Sequence, residues 1–336
     1  MHLTTYKIYC IIENAKTCNF KKIKKGEKQK MKRIVSLLIA LLLVVTALVA
    51  CNKTPEETTP ENNAPVEKTY TVAIAVDSAA NNKGKVSNTA LVLVLDDAGK
   101  IVAARFDCSE VTPALNEDGT VKAVDAVETK VEKGDGYTGM PAGSWAKQTK
   151  AFEDYIVGKT PAEVAELDAS LIAGCTMQSS VPQFKALIAE AAASTLKVTF
   201  KTAEAITVGV AVDTAVTTGK SNKVAADFAG VVVAGGKVVA TVIDSAEQSF
   251  TVAEGVITFG EFKGTKNEQG ESYSGMPAGP WYKQAQAFAN STVGKTVAEL
   301  ANLETVSDAL AAAGCTMKNT TAGYKTTIIA AAGYAR

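Results

Sequence analysis

Tyr137-Thr-Gly-Met-Pro-Ala-Gly-Ser-Trp145-Ala-Lys-Gln148 decides the reading of this chain, because it occurs twice. The second copy, Tyr273-Ser-Gly-Met-Pro-Ala-Gly-Pro-Trp281-Tyr-Lys-Gln284, lies 136 residues downstream. The match continues from Val157-Gly-Lys-Thr160 to Val293-Gly-Lys-Thr296, and from Ala173-Gly-Cys-Thr-Met177 to Ala313-Gly-Cys-Thr-Met317. Upstream it reaches Val76-Asp77 and Val212-Asp213. A period of this length exceeds a solenoid unit and matches a whole domain. Two tandem copies of one domain are therefore expected, at 70–194 and 204–336, each folding by itself, with 195–203 as connector.

Within each copy, strand signals precede helix signals. Val72, Ile74 and Val76 alternate with smaller residues, as in a strand. The runs Ala90–Leu95 and Ile101–Phe106 flank Asp96-Asp-Ala-Gly99, which predicts a hairpin. A further strand is expected within 121–131. Ser144 predicts a helix starting at Trp145, with Trp145, Thr149, Phe152 and Ile156 on its core face. Thr160-Pro161 opens a short helix, and Ser179 or Ser180 is expected to cap the last one. The second copy repeats the order. Its strands are expected at 206–212, 228–233, 238–243 and within 249–264, with helices after Pro280, Thr296, Ser307 and Thr320. Strands followed by helices predict an α+β fold, with helices packed on one antiparallel sheet in each copy.

The amino-terminal part carries export signals. Met31-Lys-Arg33 is basic, Val35–Val49 is an uncharged apolar run, and Leu48-Val-Ala-Cys51 follows. Residues 31–50 thus read as a signal peptide. Leu48-Val-Ala-Cys51 resembles the lipobox of bacterial lipoproteins, which implies cleavage before Cys51 and diacylation of its sulfur. Residues 1–30 precede a complete signal and are expected to be an upstream extension, with translation starting at Met31. Residues 51–69 are rich in Thr, Pro, Glu and Asn and read as a disordered tether.

Composition excludes several chemistries. Residues 1–50 hold 10 of the 35 Lys and Arg but only 2 of the 35 Asp and Glu, which leaves the remainder with a net charge of −8. That balance argues against nucleic acid as a partner. The only His is His2, so the exported chain has no imidazole base, Ser-His-Asp triad or His metal ligand. No Cys-x-x-Cys occurs, and no metal site is expected.

Gly174-Cys-Thr-Met-Gln-Ser-Ser180 is the best candidate for chemistry. A small-residue loop running into a helix presents backbone N–H groups and the positive helix end to an anion such as phosphate. The same residues also describe an ordinary helix start after a tight Gly turn.

The pattern as a whole resembles the FMN-binding domain of flavinylated membrane electron carriers and extracellular electron-transfer lipoproteins. Asp97-Ala-Gly-Lys-Ile101, Tyr137-x-x-Met140, Gly174-Cys-Thr-Met-Gln-Ser179 and Phe184-Lys-Ala-Leu187 follow that family's order. In the family, a flavin transferase joins FMN through its phosphate to the Thr of a Gly-Ala-Thr motif. The resemblance implies Thr176, and Thr316 in the second copy. Gly174 and Gly314 would make the turn. Cys175 and Cys315 stand at the family's Ala position, where a thiol packs as a small hydrophobe. Tyr137, Met140, Tyr273 and Met276 would wall the flavin ring. The implied protein is a lipid-anchored FMN electron carrier on the outer face of the cytoplasmic membrane, with a flavin transferase and membrane redox proteins as partners. No separate substrate site is legible, so a carrier is expected rather than an enzyme. The rival expectation is a surface ligand-binding or adhesion lipoprotein without flavin.

Overall fold

The computed structural model describes residues 66–137, 140–219, 221–273, 278–318 and 320–336. Cys51, the signal segment and most of the tether lie outside the described residues, as does Met276. The fold is α+β. The first repeat contributes β1 (Lys68–Ala80), β2 (Val86–Asp96), β3 (Ile101–Val111), α1 (Lys130–Lys133), α2 (Trp145–Ile156), α3 (Pro161–Ala165) and α4 (Val181–Ala193). Next comes β4 (Val198–Thr202). The second repeat contributes β5 (Ile206–Thr217), β6 (Asn222–Ala234), β7 (Lys237–Ala253), β8 (Val256–Phe259), α5 (Lys266–Gln269) and α6 (Trp281–Asn290). It ends with α7 (Val297–Leu300), α8 (Asp308–Ala312) and α9 (Thr321–Gly333).

Two antiparallel sheets result, ordered β3-β2-β1-β4 and β5-β6-β7-β8. Each covers one face with its own helices. In β2, Leu91, Leu93 and Leu95 point to the first helical layer, where they meet Phe152, Phe184 and Leu187. The alternate residues Ala90, Val92 and Val94 point the other way, into a core shared with Val208, Val210, Phe228 and Val242 of the second sheet. Ala90–Leu95 is continuously apolar because both faces of β2 are buried. The described residues therefore form a four-layer stack of helices, sheet, sheet and helices. Gly230 marks how closely the sheets approach: a Cβ there would lie 2.4 Å from Val92 Cγ2 of the opposite sheet.

Three expectations are corrected. Residues 121–131 form single bridges, Leu115 to Val121 and Val124 to Val216, and then α1. A Thr129–Glu132 capping box nucleates that helical turn, outweighing the apolar alternation upstream. The connector 195–203 contains a strand: β4 pairs with β1, from Lys68–Thr202 to Val72–Val198. That pairing also moves Lys68 and Thr69 out of the tether and into the sheet. In the second repeat, Val208 exchanges both backbone hydrogen bonds with Arg336, at 3.3 and 3.2 Å, in the place equivalent to the Val72–Val198 pair. Finally, Ser180 heads α4 in a helical conformation and its side chain makes no cap.

Candidate functional site

The Gly-Cys-Thr-Met loops alternate in and out. Cys175 and Met177 are buried in the first helical core, and Thr176 between them is exposed. Cys315 and Met317 do the same in the second core, with Thr316 half-buried. Both cysteines are free and buried, and burial raises the Cys315 thiol above its ordinary range. Both side chains pack within the helical cores. Gly174 (φ +80°) and Gly314 (φ +96°) sit in the left-handed region that lets the chain turn out of the preceding segment.

What fixes the Thr is a residue that sequence reasoning gave no role. The Thr176 N–H and Oγ1 both donate to Gln148 Oε1, at 2.7 and 2.9 Å. The Gln148 amide in turn donates to the Gly143 carbonyl at 3.0 Å. The second repeat copies this: Thr316 N–H and Oγ1 reach Gln284 Oε1 at 2.9 Å each, and Gln284 reaches the Gly279 carbonyl at 2.8 Å. Both glutamines are fully buried on the core side of α2 and α6. They tie the first signature stretch to the Thr loop. The signal was present in the sequence, since Gln closes the repeated stretch at the same 136-residue offset as Tyr and Trp.

The helices that follow these loops begin without side-chain caps. Neither Ser180 before α4 nor Thr320 before α9 makes a capping hydrogen bond. By contrast, Ser144, Thr160, Thr296 and Ser307 cap α2, α3, α7 and α8. In α4 the Val181 N–H donates to the Met177 carbonyl at 3.1 Å and Pro182 has no N–H, so the first turn is capped by backbone rather than by a side chain.

Tyr137 belongs to a cluster with Lys130, Trp145 and Glu110. Tyr137 is half-buried, and its hydroxyl donates to Glu110 Oε2 at 3.2 Å. Lys130 Nζ lies 5.1 Å from the Tyr137 ring centre and 5.6 Å from that of Trp145, while pairing with Glu110 at 2.9 Å. Burial pushes the Glu110 carboxyl up, but Lys130 and Lys85 outweigh it and hold it at about 2. Lys266, Tyr273, Trp281 and Glu247 repeat the cluster, with Lys266 5.2 and 5.5 Å from the two ring centres. Both Trp residues are buried core residues, and Met140 packs at the edge of the first core. The structure therefore joins Tyr137, Trp145 and Gln148 through α2, and Gln148 to Thr176.

No protein-family model matches the chain, and no solved structure matches it. A stretch of 96 residues is 36% identical to a chlorophenol reductase of Desulfitobacterium hafniense. It covers 23% of this chain and 29% of that protein's length. No helix among the described residues is long and apolar enough to cross a membrane.

Proposed function

We propose that this chain is an exported, lipid-anchored redox protein that carries FMN at its Gly-Cys-Thr-Met loops and passes electrons between membrane partners. One observation carries the reading. In both repeats, a Thr held by a buried Gln stands at the head of a thirteen-residue helix with no side-chain cap. The reductase name of the partial relative supports redox chemistry in general. The flavin, when bound, supplies that chemistry, and the protein binds and orients it.

The chain's own groups have definite tasks. Gln148 accepts the Thr176 proton in a hydrogen bond and so aims the oxygen lone pairs outward. An amide is no base, so deprotonation falls to the transferase. If the hydroxyl becomes a phosphoester, the Oγ1 bond to Gln148 is lost and the backbone N–H bond at 2.7 Å remains to hold the loop. Thr176 is exposed and Thr316 only half so, which favours modification of Thr176.

The test is co-expression with a flavin transferase. The purified protein should absorb at flavin wavelengths. Peptide mass spectrometry should place FMN on the tryptic peptide Thr160–Lys185, and less on the one containing Thr316. A colourless protein would sink this reading. It would favour a flavin-free ligand-binding lipoprotein, for which the two clefts between the repeats are the supporting observation.

A further inference from the structure

The inner faces of the two sheets correspond position by position. Ile74 pairs with Val92 in the first sheet, and Val210 with Gly230 in the second. Ile74 and Val210 are 136 residues apart, the offset of the repeated stretch, so Val92 and Gly230 are equivalent positions. By the same registers, Ser78, Asn88 and Ser109 form a row whose counterpart is Thr214, Ala226 and Ala246. At both places the copies differ, and both differences fall where the sheets touch.

The first difference is one of shape. A Cβ at position 230 would lie 2.4 and 3.0 Å from the two Val92 methyl carbons, and 2.9 Å from Val242 Cγ2. Gly230 lies within β6 and has no positive φ, so its backbone accepts a side chain and only the missing space excludes one. The second difference is one of hydrogen bonding. Ser78 Oγ donates to Asn88 Oδ1 at 2.7 Å, and Asn88 Nδ2 donates to Thr214 Oγ1 at 3.2 Å. The Ser109 and Thr214 hydroxyls share a bond of 2.6 Å. All four side chains are buried. Thr214 therefore finds both partners in the opposite sheet, while its own row offers only alanines.

We propose that these faces are keyed to unlike partners: a first repeat takes a second repeat and excludes another first repeat. Two first repeats related in the same way would set Val92 against Val92, where the present spacing does not admit a single Cβ. Two second repeats would set Gly230 against Gly230, which leaves a void, and would bury each Thr214 hydroxyl against Ala226 and Ala246. Buried polar groups satisfied in one arrangement alone fix which surfaces pair. The stack thus closes between one first and one second repeat, as a single chain supplies them, and this does not depend on flavin.

Thermal unfolding of the full chain tests both keys. Gly230→Ala should lower the melting temperature by several degrees, and Val92→Ala should lower it through a cavity. The double variant should melt above Gly230→Ala alone, because loss of the Val92 methyl groups makes room for the new Cβ. If Gly230→Ala does not fold at all, the double variant should regain a folded state. Losses that simply add overturn the shape key. Ala226→Asn should also lower the melting temperature, by placing a second amide in the layer. Adding Asn88→Ala should restore part of it, because the amide then stands in the mirror position, between Thr214 and Ser78. No recovery overturns the hydrogen-bond key. Val92→Cys left in air should give no disulfide-linked dimer. A dimer joined through residue 92 would place two first repeats face to face and overturn the proposal as a whole.

Discussion

Gln148 is fully buried, yet every polar atom of its amide serves the Thr loop and the Gly143 turn. Gln148→Ala would leave the Thr176 N–H and the Gly143 carbonyl without partners. Thr176 and Gly143 are exposed residues where water partly replaces the amide, so each lost hydrogen bond costs ~0.5–1.5 kcal/mol. The expected outcome is a lower melting temperature together with reduced FMN loading. Gln148→Glu keeps an acceptor for Thr176, loses the donor to Gly143, and should retain more loading than Ala. Equal loading in all three proteins would show that the loop needs no clamp. Buried acids give a second prediction. Burial pushes Asp107 and Asp244 up to about 7, and Asp227 up to about 6, from an ordinary 3.8. Between those values the folded chain holds protons that the unfolded chain has released, so stability falls as pH rises from about 4 through 7. Glu110, held at about 2, acts in the opposite sense and only at acid pH, because its contribution is lost as pH falls below 4.5. Asp107→Asn keeps an acceptor for Cys108 and Val131 and cannot titrate. Melting temperatures at pH 5 and pH 8 should therefore differ less in the variant than in the parent. An unchanged difference would remove Asp107 from this account.

At the level of elements, helix starts were the most legible part of the sequence. Ser144, Thr160, Thr296 and Ser307 each precede a helix and each caps it through a side-chain hydrogen bond. The starts that broke the rule are those of α4 and α9, where Ser180 and Thr320 are of the right type but hold helical backbone angles and cannot reach the first-turn amides. The prediction is differential. Ser144→Ala should cost about 1 kcal/mol, while Ser180→Ala should stay within about 0.5 kcal/mol. Urea unfolding of the two variants measures this, and a large loss for Ser180→Ala would mean that the Ser180 side chain caps α4 after all. The site itself was half legible. Repetition exposed Thr176, Tyr137 and Trp145, but the partner of Thr176 lies 28 residues away and only the fold shows that α2 faces the loop. Residues 121–131 misled for a local reason: Val121, Val124 and Val127 look like strand residues, while four residues, Thr129 to Glu132, decide the turn.

For the whole molecule, the duplication was plain in the sequence but the way the copies join was not. A strand buried on one face alternates, and one buried on both does not. Ala90–Leu95 and Phe228–Val233 are apolar on both faces, and this carried the information that a second layer covers each sheet. Read within one domain, the same run only says that the strand is central. The shared layer bears on whether the copies fold apart, as a domain-length repeat suggests. Separation would bare Val72, Val76, Val92 and Val94 on one side and Val208, Val210, Phe228 and Val242 on the other. Burying one such side chain contributes ~1.5–3 kcal/mol, and a domain's whole stability is only ~5–15 kcal/mol. Glu153 adds a polar lock. It is wholly buried in the first repeat and accepts from the Phe106 N–H at 2.9 Å, from Arg105 at 3.4 Å and from Arg336 of the second repeat at 2.9 Å. Parting the repeats takes Arg336 away and leaves a buried carboxylate with fewer donors, a change that costs ~3–5 kcal/mol where a buried pair is broken. Residues 66–203 and 204–336, expressed as separate chains, should therefore each self-associate or unfold at low denaturant. Mixed, they should form a one-to-one complex that melts as a single transition. Sedimentation and calorimetry of the two fragments, alone and together, measure this. Two monomeric fragments with independent cooperative transitions would show that the layer between the sheets is not needed by either repeat.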